Sequence, residues 1–357
     1  MGKIHVNLKE RSYDIVMETG ILSQCGDLTK SVVKGSRVAI VTDSNVNKLY
    51  GKTVVNCYRN AGFLAEILEI PAGESSKNPV QLAQLWEDMA SMGMTRHDTV
   101  VALGGGVVGD LAGFVAATLY RGVAFVQIPT TLLAQVDSSV GGKVAVDLQA
   151  GKNLAGAFYQ PKLVIIDPLV LDSLSDKVFA DGMAEVIKYG CIWDETLFEK
   201  LEKLENRKGI APEILDVVAT CCDIKRIVVE EDELDFGLRM ILNFGHTLAH
   251  VYEKAYHYET YTHGEAVAAG MVSACKLGVA TGVTPADLIP RLEKILTSYG
   301  LPTAIPVTRQ DYLDTLHLDK KADGKGIQFI LLPQLGKAGA YPITVGDLLE
   351  KVEELSV

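Results

Sequence analysis

The chain is poor in the features that mark several specialised protein classes. Its six cysteines (Cys25, Cys57, Cys191, Cys221, Cys222 and Cys275) are scattered through 357 residues without a CxxC pair. That excludes a disulfide scaffold and a cysteine zinc finger, and it predicts a reduced, cytoplasmic protein with free thiols. No apolar run reaches the roughly 18 residues that a membrane span needs. The opening stretch "MGKIHVNLKERSYDIVM" lacks the apolar core of a signal peptide. Net positive charge is absent too. The formal charge is −11, which argues against a nucleic-acid partner, since such proteins carry a basic face. There is no internal repeat and little low-complexity sequence.

What is present is a chain that is 48% hydrophobic and long enough for two domains of ordinary size. Its halves differ in texture. "SRVAIVTD", "AEILEIP", "DTVVALGGG", "AFVQIPTT" and "KLVIIDP" are short runs rich in Val and Ile that stop at Gly, Pro, Asp or Thr. Separated by helical stretches, they predict a parallel sheet covered on both faces. Further on, "ADGMAEVIKYGCI", "PEILDVVATCCDIKRIVVEE", "MILNFGHTLAHVYEKA", "HGEAVAAGMVSACKLGVA" and "ADLIPRLEKILTSYG" have helical spacing, followed by one short strand, "GIQFILLP". The expected fold is an α/β N-terminal dinucleotide-binding domain with a parallel sheet, residues 1–172, plus a mostly α-helical C-terminal metal-binding domain, residues 173–357.

In the first half, "VVALGGGVVGDLAGF" runs from a buried strand into Gly104-Gly105-Gly106. Val107-Val108-Gly109-Asp110 then opens a helix. Glycines let backbone N–H groups approach a phosphate, and the helix N-terminus adds free donors and a favourable dipole. The order is unusual, because a dinucleotide fingerprint places its ribose-binding acid about 20 residues after the glycine loop. Here the best acid, Asp43 with Asn45 beside it, comes before the loop. Either this is a dinucleotide site in a variant order, or the glycines serve only a tight turn. Thr130 and Thr131 close the next strand and can hydrogen-bond a nucleotide. Asp137 can orient a hydroxyl. Lys143 and Lys152 sit next to glycines in expected loops, as candidates for anion binding.

In the second half, "NFGHTLAHVYE" places His246 and His250 on one helix face. The missing glutamate after His246 removes the general base of a helical metalloprotease motif. His263 opens the next helix. Glu185 lies mid-helix among apolar residues, where an unpaired carboxylate costs several kcal/mol. A cation near the histidines would be its partner, and two histidines with one glutamate make an open zinc site. Taken singly, each histidine is as well explained as a satisfied core or helix-end residue. Lys188, Lys225, Arg239, Asn243 and the pair Lys320–Lys321 gather in the same segments. Against a −11 background they predict a small anionic substrate with more than one negative group.

Together, "TDSNV", "PAGESSK", "GGGVVGDLAGF", "RGVAFVQIPTTLLAQVDSSVGGK", "GKNLAGAF", "AEVIKYG", "LNFGHTLAH", "HGEAVAAGM" and "DKK" resemble, in order, the motifs of the 3-dehydroquinate synthases, a branch of the sugar-phosphate cyclases. The resemblance covers nearly the whole chain. It departs at Ala155, Leu248 and Ala249, where the family often differs in bulk. It implies NAD held by Asp43, Asn45, Glu74, Lys77, Gly105, Gly106, the Val107-Val108-Gly109 turn, Asp110, Thr130 and Thr131, with Lys143 and Lys152 at its edge. It implies a divalent metal, zinc or cobalt, on Glu185, His246 and His263. Asp137, Lys143, Lys152, Glu185 and His250 would be catalytic.

Around the substrate the resemblance places Asn153, Lys188, Lys225, Arg239, Asn243, Lys320 and Lys321. It also implies Arg121 reaching a neighbouring subunit's site in a homodimer. The implied reaction turns 3-deoxy-D-arabino-heptulosonate 7-phosphate into 3-dehydroquinate by oxidation with NAD, phosphate elimination, reduction and intramolecular aldol closure. Other sugar-phosphate cyclases, metal-dependent polyol dehydrogenases and a non-catalytic NAD sensor are the alternatives.

Overall fold

The computed structural model describes residues 2–319, 327–344, 346–348 and 350–351. Contacts divide the chain into two units, Met1–Leu174 with Lys225–Leu234, and Ser175–Ile224 with Asp235–Val357.

In the first unit the Val- and Ile-rich runs become strands. These are β1 (Gly2–Val6), β2 (Tyr13–Met17), β3 (Arg37–Asp43), β4 (Leu64–Ile70), β5 (Thr99–Gly104), β6 (Ala124–Pro129), β7 (Lys143–Leu148), β8 (Gly151–Phe158) and β9 (Leu163–Ile166). Seven of them form one sheet in the order β1-β2-β9-β6-β5-β3-β4. β1 is antiparallel to β2, and every other neighbouring pair is parallel. Side chains alternate across the sheet. Val38 and Ile40 of β3 pack with Val54 and Tyr58 of the Lys52–Asn60 helix. Ala39 and Val41 face the other way, with Leu111 and Val115 of the Gly106–Thr118 helix and Leu82 and Leu85 of the Pro79–Ser91 helix. Both faces are therefore apolar, which is why these strands read as continuous hydrophobic runs.

The strand order reverses beside β3, with β4 on one side and β5 on the other. At such a switch point the loops at the carboxyl ends of adjacent strands diverge and leave room for a ligand.

Two local expectations need correction. Lys143 and Lys152 do not lie in loops: they fall in β7 and β8, which pair as an antiparallel hairpin. The reason is a period-two pattern in "KVAVDL", whose Val144 and Val146 are buried. Val144 packs so closely on the neighbouring helix that a Cβ on Gly113 would lie 2.3 Å from its Cγ1. In the second unit, the single late strand is one arm of a hairpin, β10 (Ile327–Gln334) with β11 (Lys337–Ile343). The glycine and proline in "KAGAYPI" hide the strand signal of the second arm.

The rest of the second unit is helical. Its principal helices include Asp176–Ile192, Glu195–Leu204, His246–Ala255, His263–Ala280 and Leu288–Ser298. Glycines let three of them approach closely. Gly245, at φ 80°, breaks the chain just before His246, so "MILNFG" is a separate turn and is not continuous with the His246–Ala255 helix. A Cβ on Gly270 would lie 2.2 Å from the Gly245 carbonyl oxygen. A Cβ on Gly264 would lie 2.2 Å from the carbonyl oxygen of Asp181. The Gly264 N–H donates to Asp181 Oδ1 at 2.6 Å. These contacts set the His246 and His263 helices against each other and the His263 helix against the one carrying Glu185. Gly264→Ala is therefore expected to destabilise the fold by about 1–3 kcal/mol through overpacking, measured by denaturant unfolding. Parental stability in this variant would show that the helices need not be so close.

Candidate functional site

The helical unit holds the more strongly polarised cluster. Ser175 caps the Asp176–Ile192 helix, its Oγ accepting from the Val178 N–H at 3.3 Å. Nearly every residue of that helix from Phe179 onward is buried. Glu185 is 1% exposed, and neither carboxylate oxygen accepts a hydrogen bond. Lys188, one turn on and 2% exposed, makes an ion pair with Oε2 that lacks hydrogen-bond alignment. Oε1 instead faces His246 Nε2 at 3.6 Å and His263 Nε2 at 3.9 Å. Each of the three residues offers a ligand atom within 4.8 Å of the others. Bonds of about 2.0–2.1 Å to a tetrahedral zinc place neighbouring ligands about 3.3 Å apart, so a small contraction closes this group around an ion. Lys188 balances the charge at Oε2, and the remaining oxygen, Oε1, buried without a hydrogen bond and facing two Nε2 atoms, fits a metal ion.

The histidines are turned for ligation. His246 Nδ1 donates to the Phe244 carbonyl oxygen at 3.2 Å, leaving Nε2 as the acceptor. Burial first, then the charge of Lys188, holds its pKa well below the ordinary imidazole value, which keeps the ring neutral. His263 is the first residue of its helix. A capping box fixes it there: the Thr262 N–H donates to Glu265 Oε2 at 2.7 Å and the Glu265 N–H to Thr262 Oγ1 at 3.3 Å. Burial alone would lower the pKa of His263, but the hydrogen bond and charge of Glu253, with Glu185, outweigh it and hold it above 6.5. His250 is exposed, and its Nδ1 reaches Glu253 Oε2 at 3.0 Å. Arg239 is buried and Asn243 exposed on the turn before His246. Lys320 and Lys321 lie outside the described residues.

In the α/β unit, the switch point answers the question of motif order. β3 and β5 are neighbours, with Thr42 opposite Leu103, so Asp43 and the Gly104–Gly106 turn leave the sheet side by side. β6 lies next to β5, with Pro129 opposite Gly104, and the Thr130 N–H donates to the Gly104 carbonyl oxygen at 2.9 Å. An acid upstream of the glycine loop is thus adjacent to it in space. No side chain caps the Gly106–Thr118 helix, so the N–H groups of its first turn, Gly106, Val107 and Val108, can receive a phosphate. Gly109 already donates to the Gly105 carbonyl oxygen. Thr130 Oγ1 is buried without a hydrogen-bond partner, and a Cβ on Gly105 would lie 3.0 Å from Thr131 Cγ2. Orphan donors and a backbone stripped of side chains fit a dinucleotide. Asp43 Oδ1 also caps its own turn, accepting from Asn45 and Val46 at 2.8 and 3.1 Å.

Glu74 and Lys77 come after β4 on the same edge. Lys77 Nζ donates to Asp110 Oδ2 at 2.6 Å and also to Asn153 Oδ1. Burial would discharge Lys77, yet Asp110, Glu74 and Asp147 raise its pKa above the ordinary value. The same burial raises Glu74 and Asp110. Asn153, expected at the substrate, is thus tied to a residue expected at the cofactor. Lys225 Nζ donates to the Asp137 carbonyl oxygen at 2.6 Å and to Oδ1 at 2.7 Å. Tyr120 and Arg121 have consecutive positive φ angles of 50° and 65°, a strained turn that leaves Arg121 exposed. Glu253 is the residue that sequence reading passes over. Its signal is there, since it lies seven positions after His246 and three after His250 and so shares their helix face.

Comparison with known proteins agrees. The family model described as 3-dehydroquinate synthase N-terminal matches residues 67–181, and the one described as 3-dehydroquinate synthase C-terminal matches residues 182–322. The chain is 46% identical over 339 residues to the 3-dehydroquinate synthase of Clostridium botulinum (strain Alaska E43 / Type E3), covering 95% of this chain and 97% of the relative. Among solved structures, 2-deoxy-scyllo-inosose synthase complexed with carbaglucose-6-phosphate, NAD+ and Co2+ superposes with a TM-score of 0.88 at 26% identity, covering 99% of this chain and 100% of the other. The 2-epi-5-epi-valiolone synthase of Streptomyces hygroscopicus subsp. jinggangensis 5008, with NAD+ and Zn2+ bound, does so with a TM-score of 0.86 at 26% identity, covering 98% of each.

The geometry around Glu185 has two measurable outcomes. His246→Ala is expected to lose bound metal while His250→Ala retains it, measured as metal content after gel filtration; equal loss in both would sink the distinction. A proton must also leave His263 before a metal can bind. Because its metal-free pKa is raised, metal affinity should fall as pH falls, and the fall should begin above 6.5. Competition with a chromogenic chelator across pH checks this.

Proposed function

This chain belongs to the 3-dehydroquinate synthase family, and on that premise we propose how its residues divide the work. The reaction converts 3-deoxy-D-arabino-heptulosonate 7-phosphate to 3-dehydroquinate and phosphate, and the enzyme depends on NAD and a divalent metal. Bound NAD supplies a hydride acceptor that is regenerated within the cycle, and the metal supplies Lewis acidity toward the alcohol oxygen.

Glu185, His246 and His263 hold the metal. The observation that carries this assignment is the buried Glu185 Oε1, without a hydrogen bond and facing two Nε2 atoms. Asp43, Asn45, Glu74, Lys77, Gly105, Gly106, Val107, Val108, Gly109, Asp110, Thr130 and Thr131 hold NAD, supported by their common position at the carboxyl ends of β3, β4, β5 and β6. Residues 1–172 form the cofactor domain and 173–357 the metal domain.

The substrate is an anionic sugar phosphate, and the cations answer it. Lys143 and Arg239 pair with the carboxylate. Asn153, Lys188, His250 and one lysine of Lys320–Lys321 serve the phosphate, with Lys152 beside the substrate. Asp137 and Lys225, already hydrogen-bonded to each other, orient the sugar hydroxyls, and Asn243 adds a further contact. Fixing the substrate at several charged points lets each step proceed without release of the intermediate. Arg121, on its strained turn, reaches a second subunit's site in a homodimer. No described helix is long and apolar enough to cross a membrane, and the free cysteines suit the cytoplasm.

The enzyme is expected to release phosphate from the heptulosonate substrate with no steady rise in NADH absorbance, and to lose activity in chelator. Accumulating NADH would point instead to a polyol dehydrogenase. Phosphate release from sedoheptulose 7-phosphate alone would point to another cyclase.

A further inference from the structure

Glu253 has no part in the assignments above, yet both oxygens of its carboxylate are engaged. It lies on the His246–Ala255 helix and is 5% exposed. Oε2 faces His250 Nδ1 at 3.0 Å and Oε1 faces His263 Nδ1 at 3.2 Å. A packing role needs no charge at this position, and burying one is costly unless it is paired. Each carboxylate oxygen meets a ring nitrogen at hydrogen-bond distance and can only accept, so each Nδ1 donates its proton to Glu253.

We infer that Glu253 is a positioning residue that locks two histidines with one carboxylate, the metal ligand His263 through Oε1 and the substrate-side His250 through Oε2. This rests on the assignment of His263 to the metal. With Nδ1 protonated, His263 turns the lone pair of Nε2 toward Glu185 Oε1, 3.9 Å away. His246 receives the same service from the Phe244 carbonyl. Ligand histidines are commonly held in this way by a carboxylate or a carbonyl. Here the carboxylate has a second client. His250 is fixed from the same group, so its Nε2 points away from Glu253 and is available to a substrate oxygen. Metal retention and substrate binding thus share one anchor.

Glu253→Gln separates this from a structural role. The amide keeps the shape but offers one acceptor oxygen, so it cannot receive both Nδ1 protons. Expected are a metal dissociation constant weakened about 10- to 100-fold, an altered visible spectrum of the Co2+ form, and a raised KM for the heptulosonate substrate. His250→Ala should raise KM without changing metal affinity, and Glu253→Asp should recover part of the metal affinity. Nitrogen NMR of labelled histidines in the unmutated chain should show Nδ1–H tautomers for both His250 and His263. That test stands even if the Gln variant fails to fold. An Nε2–H tautomer at His263 overturns the inference. So does Glu253→Gln with unchanged metal affinity and Co2+ spectrum beside a His263→Ala variant that has lost its metal. Full metal affinity in His263→Ala would instead overturn the ligand assignment beneath it.

Discussion

The helical unit is organised around a buried carboxylate whose partner in its own helix is one ammonium. Glu185 is buried in a helix that is apolar on nearly all sides, with an ion pair to Lys188 and no hydrogen bond. Lys188 offsets the cost of burying that charge, and Oε1 is left facing the two histidines. Around it the sequence supplies two neutral-capable imidazoles, each with Nδ1 tied back to an acceptor so that Nε2 looks inward. The close approaches at Gly264 and Gly270 bring these groups within reach of one another.

The α/β unit poses a different problem, room for a pyrophosphate-bearing cofactor in a protein of net charge −11. What it presents at the glycine turn is largely backbone. The uncapped Gly106–Thr118 helix offers N–H groups, and the glycines ahead of it remove the side chains that would bar access. The charges nearby are partly balanced among themselves, with Lys77 shared between Asp110 and Asn153.

Much of the architecture is legible in the chain. The five parallel strands of "SRVAIVTD", "AEILEIP", "DTVVALGGG", "AFVQIPTT" and "KLVIIDP" lie where their composition puts them, because strands buried on both faces are apolar throughout and stand out from helices. The helices bearing Glu185 and His263 are equally plain, since their apolar positions recur at helical spacing. The β7–β8 hairpin is less so: glycines in "SSVGGK" and "QAGKN" suggest loop, and the period-two pattern between them is only a few residues long. Gly245 blends into the helical pattern on either side, because one glycine in an apolar stretch does not announce a positive φ. The hidden role of Glu253 is of another kind. Its neighbours on the helix face are visible, but His263, which uses its other oxygen, comes from a different helix.

The sequence by itself determined the inventory: which side chains can ligate, which glycines strip the backbone bare, and which runs must be buried, since these depend on residue chemistry and local period. The tertiary structure decided the pairings. Asp43 precedes the glycine loop it serves, and only the neighbouring of β3 and β5 makes them adjacent. His246 and His250 look alike by spacing, but His250 meets Glu253 within its own helix, whereas only the packing of helices brings His246 to Glu185. Local sequence fixes the face of a helix on which a side chain emerges. What that face meets depends on close approaches between segments far apart in the chain.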